Sequence, residues 1–364
     1  MFLKNISLFN FKNYSSAEFS FSAQINGLTG SNGCGKTNLL DAIHYLSMGK
    51  SAFNLIDSQN IRHQEALFMV KGNFVLQDEE KEVCCSLKAG EKKILSVNRV
   101  PHEKLSQHIG LFPTVMIAPN DTDIIREGSE ARRKFFDSMM AQIDPEFLRH
   151  LIQYNHTLKN RNSLLKQFNK KRYFDADLLE FYDGKLIDCG QPIFEKRKTF
   201  AEEFLPVFEQ HYCVLSDDAE QVEIEYKSSL LTQDMTDLLH QNLQKDLYLL
   251  RTAAGIHKDD FNFRISGYPL KKFGSQGQQK SFLIALKLAQ FDMISRHKGF
   301  KPVLLLDDIF DKLDDRRIRK LMEMVSKDSF GQIFVTDARA ERTQRLFEHI
   351  NADKRFFAVD ELIN

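Results

Sequence analysis

Hydrophobic and polar positions follow two different periods along this chain, and the two periods predict strands and helices in turn. Apolar and polar positions alternate over residues 2–11 and 17–25, which predicts two strands around a turn at residues 12–15. The apolar run at residues 25–29 predicts a short buried strand. Apolar residues then recur every three or four positions over residues 36–48, which predicts a helix.

The chain then returns to the strand pattern. Three β-rich runs at residues 66–76, 82–87 and 93–97 are separated by charged or glycine-containing turns. This pattern predicts an antiparallel meander added to the main sheet. Residues 114–118 predict a further short buried strand, which Pro119 ends.

Residues 130–207 change character, because they are charged, helical in period and poor in glycine and proline. Two apolar seams, within residues 151–168 and 179–193, predict an antiparallel helical hairpin that forms a short coiled-coil arm. An ordinary helical subdomain packed on the core fits the same pattern. Arg161 interrupts the first seam, and we expect Gly190 together with Pro192 to kink or restart the second helix.

Strand and helix periods alternate again toward the C-terminus. Residues 221–226 predict a strand and residues 232–253 a helix. The apolar run within residues 301–308 ends in two carboxylates and is typical of a parallel-sheet strand that is buried on both faces. Residues 332–336 predict another core strand. Together these elements predict an α/β fold.

Composition narrows the class of protein. A chain of 364 residues can hold two domains, or one large domain with an insertion. Fifty basic residues balance fifty acidic ones, so any site for a polyanion must be a local patch.

The five cysteines are odd in number and lack metal-ligand spacing, which indicates reduced thiols in the cytosol. No apolar run approaches the ~18 residues that span a bilayer, so we expect a cytoplasmic protein without a membrane partner.

The candidate chemistry begins at Gly30-Ser31-Asn32-Gly33-Cys34-Gly35-Lys36-Thr37, which fits the pattern G-x-x-x-x-G-K-[ST]. In such a loop the backbone N–H groups surround the phosphates of a nucleotide, and glycines allow the close approach. Lys36 would reach the β- and γ-phosphates, and the Thr37 hydroxyl would hold Mg²⁺. A strand before the loop and a helix after it are the context that this motif requires.

Two carboxylates at the end of a predicted strand complete this site. Ligands of α/β sheets bind at the carboxyl ends of the strands. Asp307 would orient the Mg²⁺ that Thr37 holds, and Asp308 is placed to orient or deprotonate an attacking water. An apolar run that ends in two acids is weak evidence alone, but it is strong evidence beside residues 30–37.

A third motif, Phe273-Gly274-Ser275-Gln276-Gly277-Gln278-Gln279-Lys280, opens another predicted helix. Ser275 fits the N-cap position, and Gly277 permits close approach to a helix start that can bind an anion. A capped helix at a domain edge would account for the segment equally well. The segment resembles the signature motif of ATP-binding-cassette ATPases, in the variant of the chromosome-maintenance branch.

Five blocks, residues 8–14, 30–43, 132–137, 255–260 and 304–314, have an order and spacing that cover nearly the whole chain. Together they resemble the RecF family of bacterial recombination mediators. Two positions depart from the family pattern. Ile256 stands where the family usually has proline, and Gln276 where it often has a basic residue.

The resemblance implies an α/β head of the ATP-binding-cassette type, with an inserted helical lobe or short coiled-coil arm. On this basis residues 1–122 and 216–364 form the head ATPase domain, and residues 123–215 form the lobe. ATP would drive two copies to dimerise as a clamp on single-stranded, gapped or junction DNA, and slow, DNA-stimulated hydrolysis would release them. The resemblance also implies recombinase loading with the RecO and RecR proteins, in recombinational repair, replication-fork maintenance and the SOS response.

Residue roles follow from the resemblance position by position. Residues 30–37 and Asp307 would bind Mg²⁺ and ATP, with Asp308 as the catalytic carboxylate. Ser275 and Gly277 would contact the γ-phosphate that a second subunit holds.

Five further positions carry implied or candidate roles. Asp311 and Asp314 resemble the dimer-facing D-loop of such ATPases. Thr336 falls near the switch position after the last core strand. Lys12 and Asn13 are candidates for contact with the nucleotide, and an exposed turn is the alternative for both.

Charge indicates where DNA would bind. Residues 149–200 carry eleven Lys or Arg and six Asp or Glu, a local excess of five basic residues. Two basic triplets stand out, Lys170-Lys171-Arg172 and Lys196-Arg197-Lys198, with aromatic residues beside the first. Such clusters suit contacts to phosphates, although a solvated helix surface also fits the charge pattern.

Cys34 lies in the predicted phosphate loop at a helix start. The positive potential of a helix N-terminus favours thiolate, so we expect a lowered pKa for the Cys34 thiol. A bound polyphosphate would oppose the thiolate and block access to it, so we expect Mg-ATP to slow the alkylation of Cys34. An ordinary small loop residue is the alternative.

Three other classes of protein share part of this pattern. A transporter ATPase subunit has similar nucleotide motifs, but the helical insertion and the strand-rich residues 66–100 fit it less well. A P-loop kinase or another small-molecule phosphotransferase has no use for a signature motif. A structural chromosome-organising protein needs coiled coils much longer than residues 151–204 supply.

Overall fold

The computed structural model describes residues 1–216, 220–310, 315–326 and 330–361. Contacts divide the chain into two compact units, Met1–Thr122 with Lys280–Asn364, and Asp123–Gln279. Residues 216–279, which the sequence analysis assigns to the head, therefore belong to the second unit, together with the long helices.

Strands and helices are numbered here in chain order. The strands are β1 (Phe2–Phe11), β2 (Tyr14–Ser20), β3 (Ile25–Thr29), β4 (Leu67–Leu76), β5 (Glu79–Lys88), β6 (Ile94–Val97), β7 (Val100–Pro101), β8 (Thr114–Ile117), β9 (Val222–Lys227), β10 (Asp260–Ile265), β11 (Tyr268–Pro269), β12 (Val303–Leu306), β13 (Ile333–Asp337) and β14 (Lys354–Ala358). The helices are α1 (Lys36–Met48), α2 (Asp123–Arg126), α3 (Ser129–Ile143), α4 (Pro145–Lys171), α5 (Ala176–Ser216), α6 (Met235–Leu249), α7 (Leu270–Phe273), α8 (Gln276–Lys298), α9 (Asp315–Ser326) and α10 (Ala340–Glu348).

A parallel sheet forms one layer of the first unit, with strand order β14-β3-β13-β12-β8. Every residue of β3, β8, β12 and β13 is buried, as expected for apolar runs that are covered on both faces. Because the strands are parallel, their carboxyl ends meet at one edge. The loop after β3, the acids after β12 and the end of β13 are thereby brought together.

The β-rich region at residues 66–100 forms a second sheet in this unit, with order β2-β1-β4-β5-β6-β7 and antiparallel pairing. The predicted antiparallel meander is present, but the prediction that it extends the main sheet is wrong. It joins β1 instead, because β4 pairs with β1 from Phe2 to Phe9 and that pairing uses the free edge.

Helix α1 packs against strands of both sheets. Its apolar positions Leu39, Leu40, Ile43 and Leu46 are fully buried in the core that the two sheets share. Burial of each such side chain stabilises the fold by roughly 1.5–3 kcal/mol. The N-terminal end of α1 is therefore held firmly at the carboxyl edge of the parallel sheet.

The second unit contains the long helices and the small antiparallel sheet β11-β10-β9. Helices α4 and α5 are joined by a short connection and pack along each other, with Tyr154, Leu165, Leu179 and Leu186 buried as the seams predict. Helix α5 does not restart at Pro192. It continues with this proline inside it, since buried side chains on both sides of Pro192 hold the helix in place.

Among the helices of the described residues, none has a stretch long and apolar enough to cross a lipid bilayer.

Candidate nucleotide-binding site

The loop between β3 and α1 depends on its glycines. Gly30, Gly33 and Gly35 have φ of 147°, 88° and 106°, values that side chains with a Cβ rarely adopt. A Cβ on Gly30 would also lie 2.9 Å from Asp360 Oδ2 and 2.9 Å from Cys34 Sγ. Gly35 is the N-cap of α1, so the loop leads directly into the N-terminal end of the helix.

Lys36 is the first residue of α1, and its side chain folds back over the loop. Its Nζ donates to the carbonyl oxygens of Gly30 (2.6 Å) and Ser31 (2.8 Å). An ammonium group has three donors, and backbone carbonyls satisfy two of them here. A phosphate oxygen in place of either carbonyl would receive a charge-assisted hydrogen bond, which is the stronger kind.

Thr37 and Asp307 meet in the next layer of the site. Thr37 Oγ1 donates to the Asp307 carboxylate, at 2.9 Å from Oδ1 and 3.1 Å from Oδ2. Thr336 Oγ1, on β13, donates to Asp307 Oδ1 at 2.9 Å. Burial raises the pKa of the Asp307 carboxyl above its ordinary value, the two hydroxyl hydrogen bonds oppose this rise, and the charge of Asp308 adds to it.

These oxygens fit a magnesium ion that is shared with a nucleotide. Mg²⁺ prefers hard oxygen ligands and usually takes one or two from the protein, with waters and phosphate oxygens completing the octahedron. The Thr37 hydroxyl and the Asp307 carboxylate are such ligands and lie within hydrogen-bonding distance of each other. In the described ranges no group of three or more His, Cys, Asp or Glu forms a metal cage.

Thr336 also fixes the backbone of Asp308. Asp308 has a φ of 48°, and its N–H donates to Thr336 Oγ1 at 2.9 Å. The left-handed conformation costs a non-glycine residue roughly 1 kcal/mol or more, so the hydroxyl stabilises a strained position. The sequence connected Thr336 with the site only through family resemblance, and the structure shows which atoms it contacts.

Side chains at the turn between β1 and β2 donate hydrogen bonds to the backbone of the loop. Asn13 Nδ2 donates to the carbonyl of Cys34 (3.3 Å), and Tyr14 OH donates to that of Gly35 (3.0 Å). Lys12 is not an exposed turn residue, since its Nζ lies 2.6 Å from the fully buried carboxylate of Asp41. In this structure the positive charge of Lys12 is paired with a carboxylate inside the protein.

Cys34 does not have the thiol pKa that we expected. Burial raises the pKa of the Cys34 thiol, a hydrogen bond with the Asp360 carboxylate raises it further, and the charge of Lys36 opposes the rise. The expectation of a lowered pKa is therefore wrong. That expectation included the potential of the helix end, which is local in sequence. It included neither desolvation nor the carboxylate of Asp360, which lies near the other end of the chain.

The signature segment forms a capped helix start. Ser275 Oγ accepts from the N–H of Gln278 (3.2 Å), and Gln278 Oε1 accepts from the N–H of Ser275 (2.6 Å). This reciprocal pair is the capping-box arrangement, and it leaves Ser275 exposed. Gly277 lies in the first turn of α8. The predicted D-loop residues Asp311 and Asp314 lie outside the described residues.

The two basic triplets differ in the structure. Lys170, Lys171 and Arg172 are exposed at the C-terminal end of α4. In the second triplet Arg197 is buried and bonded to carboxylates, and Lys196 pairs with Asp144 and Glu146. The interpretation of the second triplet as a phosphate-contacting cluster is therefore wrong for Arg197, because its guanidinium does not reach solvent.

The arrangement is that of a P-loop ATPase head of the ATP-binding-cassette type. A sequence profile described as "RecF/RecN/SMC N terminal domain" matches residues 2–354. The head domain of an Smc protein from Pyrococcus furiosus shares the fold, with a TM-score of 0.56 at 17% identity over 98% of this chain and 94% of that one. The predicted fold class is confirmed.

The chain belongs to the RecF family. It is 48% identical to the "DNA replication and repair protein RecF" of Flavobacterium johnsoniae, over 98% of this chain and 99% of that protein. It is 45% identical to the protein of the same name from Cytophaga hutchinsonii, over 99% and 95%. A solved structure described as "recombination mediator protein RecF-ATP in RecFOR pathway" matches with a TM-score of 0.89 at 32% identity, over 99% of this chain and 96% of that one.

Proposed function

We propose that this protein binds Mg-ATP at residues 30–37 and Asp307, hydrolyses it slowly, and uses it as a switch for DNA binding in recombinational repair. The observation that carries this proposal is the meeting of Lys36, Thr37 and Asp307 at one edge of the parallel sheet. Relatives named for DNA replication and repair, and a RecF structure described with ATP, support it.

The side chains of the site suggest how the reaction proceeds. When bound, magnesium would supply charge stabilisation for the transferred phosphoryl group, and Thr37 and Asp307 would hold it. Lys36 would exchange its two carbonyl partners for phosphate oxygens. Asp308 orients the attacking water, while Thr336 holds its backbone in a position that few residues adopt.

Dimerisation would complete the site. Ser275 caps an exposed helix start, and a helix N-terminus favours an anion such as the γ-phosphate that a second copy presents. Phe273, two residues before it, is 64% exposed and lies against exposed Tyr268, with ring centroids 5.2 Å apart and the ring planes tilted by 49°. Large exposed aromatic side chains suit a surface that another protein covers. DNA would bind the dimer, and RecO and RecR proteins would act with it on gapped DNA.

The mass of the protein in solution tests this function. We expect a monomer without nucleotide, a dimer with Mg-ATP, and a dimer bound to DNA when gapped duplex is added, all measured by analytical ultracentrifugation. The Lys36→Ala variant is the control, since it should remain monomeric in every mixture. A chain that binds no Mg-ATP, or that binds DNA equally well with and without it, would contradict the proposed switch.

A further inference from the structure

The last described turn of the chain lies against the phosphate loop. Strand β14 runs parallel to β3, so both strands end at the same edge of the sheet. Val359 follows β14 and is fully buried in the core of the first unit, which anchors the turn at residues 359–361. Asp360 comes next and lies at the surface beside the start of the loop.

Asp360 binds the loop through both of its carboxylate oxygens. Oδ2 accepts from the backbone N–H of Ser31 (2.8 Å), and Oδ1 accepts from Ser31 Oγ (2.9 Å). The Cys34 thiol is a further donor to this carboxylate. The Ser31 hydrogen bonds lower the pKa of Asp360, so the group is ionised at neutral pH.

The position of this negative charge matters because of Lys36. One of the two carbonyls that accept from the Lys36 ammonium belongs to Ser31, which is the residue that Asp360 binds. A single residue therefore separates Asp360 from the ammonium group that would bind the β- and γ-phosphates. Asp360 is therefore close to the most negatively charged part of a bound triphosphate. Like charges at a site that is open to solvent repel weakly, and salt screens the repulsion.

We propose that Asp360 sets the nucleotide preference of this site by charge. Its carboxylate stabilises the empty loop and weakens the binding of ATP more than that of ADP, because ATP brings one more negative charge to the same place. The proposal rests on the proposed function, since it requires that residues 30–37 bind a nucleotide. Its consequence is that an ATP-bound state forms only at a higher ATP concentration than the loop alone would require.

The Asp360→Asn variant tests the charge with little change of shape. Asparagine still offers an oxygen to the Ser31 N–H, but it carries no charge. We expect the Kd of a slowly hydrolysed ATP analogue, adenosine 5′-(β,γ-imido)triphosphate, to fall by about three- to tenfold at low salt, and the Kd of ADP to fall clearly less. Both differences should shrink in 0.5 M NaCl. Isothermal titration calorimetry with Mg²⁺ measures the Kd of both nucleotides for the wild type and the variant at both salt concentrations.

Two further variants separate charge from support of the loop. Glu361→Gln removes a charge from the same exposed turn and should leave both affinities unchanged. Asp360→Ala removes the charge and the hydrogen bonds together. If Asp360→Asn binds both nucleotides as the wild type does, while Asp360→Ala weakens both equally, then Asp360 only braces the loop and the proposal is wrong.

A measurement without nucleotide checks the contact itself. Because Asp360 raises the pKa of the Cys34 thiol, Asp360→Asn should speed the alkylation of Cys34 at pH 8, followed by mass spectrometry of its peptide. Exposed Cys213 is the internal control and should not change. An unchanged Cys34 rate would overturn the contact and the proposal. A wild-type chain that binds neither nucleotide would instead refute the proposed function.

Discussion

Three hydroxyl and carboxyl side chains form a connected unit at the centre of the candidate site. Thr336 donates to Asp307 and accepts from the backbone of Asp308, and Thr37 donates to Asp307 from the other side. Removal of one partner would leave a buried polar group unsatisfied, at a cost of ~1–3 kcal/mol. These residues therefore act together, and single substitutions should alter the geometry of the others.

The first prediction concerns Lys36 and Asp308. Lys36→Arg keeps the charge but changes the reach and shape of the cation, so ATP affinity or turnover should fall sharply, by about tenfold or more. Asp308→Asn should still bind ATP and accumulate as an ATP-bound dimer, because Lys36, Thr37 and Asp307 are unchanged. Asparagine also tolerates the left-handed conformation of this position, so the backbone should be preserved.

Equilibrium binding and phosphate release measure the two effects separately. Lys50→Arg, at an exposed lysine outside the loop, is the matched control for the lysine substitution and should behave as the wild type. Turnover within about twofold of the wild type in both Lys36→Arg and Asp308→Asn would remove this site from the mechanism.

Residues that a motif marks were predictable, including Thr37 and Asp307, which meet across a separation of 270 residues, whereas a contact that no motif marks was not. The spacing of Gly30, Lys36 and Thr37 is local, so the pattern predicts a phosphate-binding loop directly. Asp360 contacts Ser31 across a separation of 329 residues, and only the pairing of β14 with β3 places it there. No period or motif in the sequence marks this contact.

At the scale of helices, two buried arginines connect segments of the second unit, and Arg161 explains where the first apolar seam breaks. Arg161 of α4 is fully buried, and it donates to Asp183 of α5 and to Asp246 of α6. Arg197 of α5 donates to Asp137 of α3 and to Asp259, which precedes β10. Each arginine thus connects three segments of the second unit. A seam position that looks wrong for packing is used for ion pairing.

The second prediction tests this interpretation with Arg197→Met. Loss of the guanidinium leaves two buried carboxylates without their partner, which should lower the free energy of unfolding by about 3–5 kcal/mol. Urea unfolding followed by circular dichroism measures the change. Lys198→Met, at the exposed neighbouring position, is the control and should stay within about 0.5 kcal/mol of the wild type. Equal stability of the two variants would show that the buried pairs are not what holds these segments together.

The third prediction concerns the exposed triplet at the end of α4. Replacement of Lys170, Lys171 and Arg172 by glutamine removes three candidate phosphate contacts, so DNA affinity should weaken by a similar factor for all sequences. The slope of log K against log salt should shrink by roughly two to three units on duplex DNA. Fluorescence anisotropy at several salt concentrations gives this slope.

A control triplet distinguishes a local contact from a general effect of charge. Lys88 at the end of β5, and Lys92 and Arg99 in the turns on either side of β6, are exposed in the first unit, and their replacement by glutamine removes the same charge. We expect this control to change the slope little. An unchanged slope in the α4 variant would place the DNA-binding surface elsewhere, most simply on the first unit.

Strands differed in how well the sequence revealed them. β12 and β13 were predictable because they are short apolar runs, and every residue in them is buried. β10 was missed although its Phe261, Phe263 and Ile265 alternate with polar residues, so the signal was present. The sequence carries no such clear signal for β14. This strand begins with Lys354-Arg355, and it is an edge strand of a sheet that only long-range pairing assembles.

At the scale of the whole molecule, the proposed mechanism needs two copies of the chain. The loop at residues 30–37 belongs to the first unit and Ser275 to the second, and the proposal joins the loop of one copy to Ser275 of the other. Ser275→Arg should leave nucleotide binding to the monomer near normal, because Lys36, Thr37 and Asp307 are untouched. It should abolish the ATP-dependent dimer, since a bulky cation then occupies the place meant for the opposing γ-phosphate.

Loss of the cap alone is a smaller effect that a control can separate. An N-cap substitution costs ~1 kcal/mol of stability, which is not enough to unfold a domain of this size. Ser229→Arg places the same cation at another exposed position of the second unit, and it should dimerise with ATP as the wild type does. Sedimentation of both variants with Mg-ATP makes the comparison.

The last prediction concerns a mixture of two inactive variants of this chain. Ser275→Arg lacks a working signature and Lys36→Arg lacks a working loop, so each alone should show little turnover. In a mixed dimer one composite site carries both lesions and the other carries neither. Partial turnover should therefore return on mixing, to at most about a quarter of the wild-type rate per chain if the subunits pair at random. Phosphate release and sedimentation can be followed on the same mixtures. A Ser275→Arg protein that dimerises with ATP, or hydrolyses it normally alone, would overturn the clamp and favour a self-contained phosphotransferase.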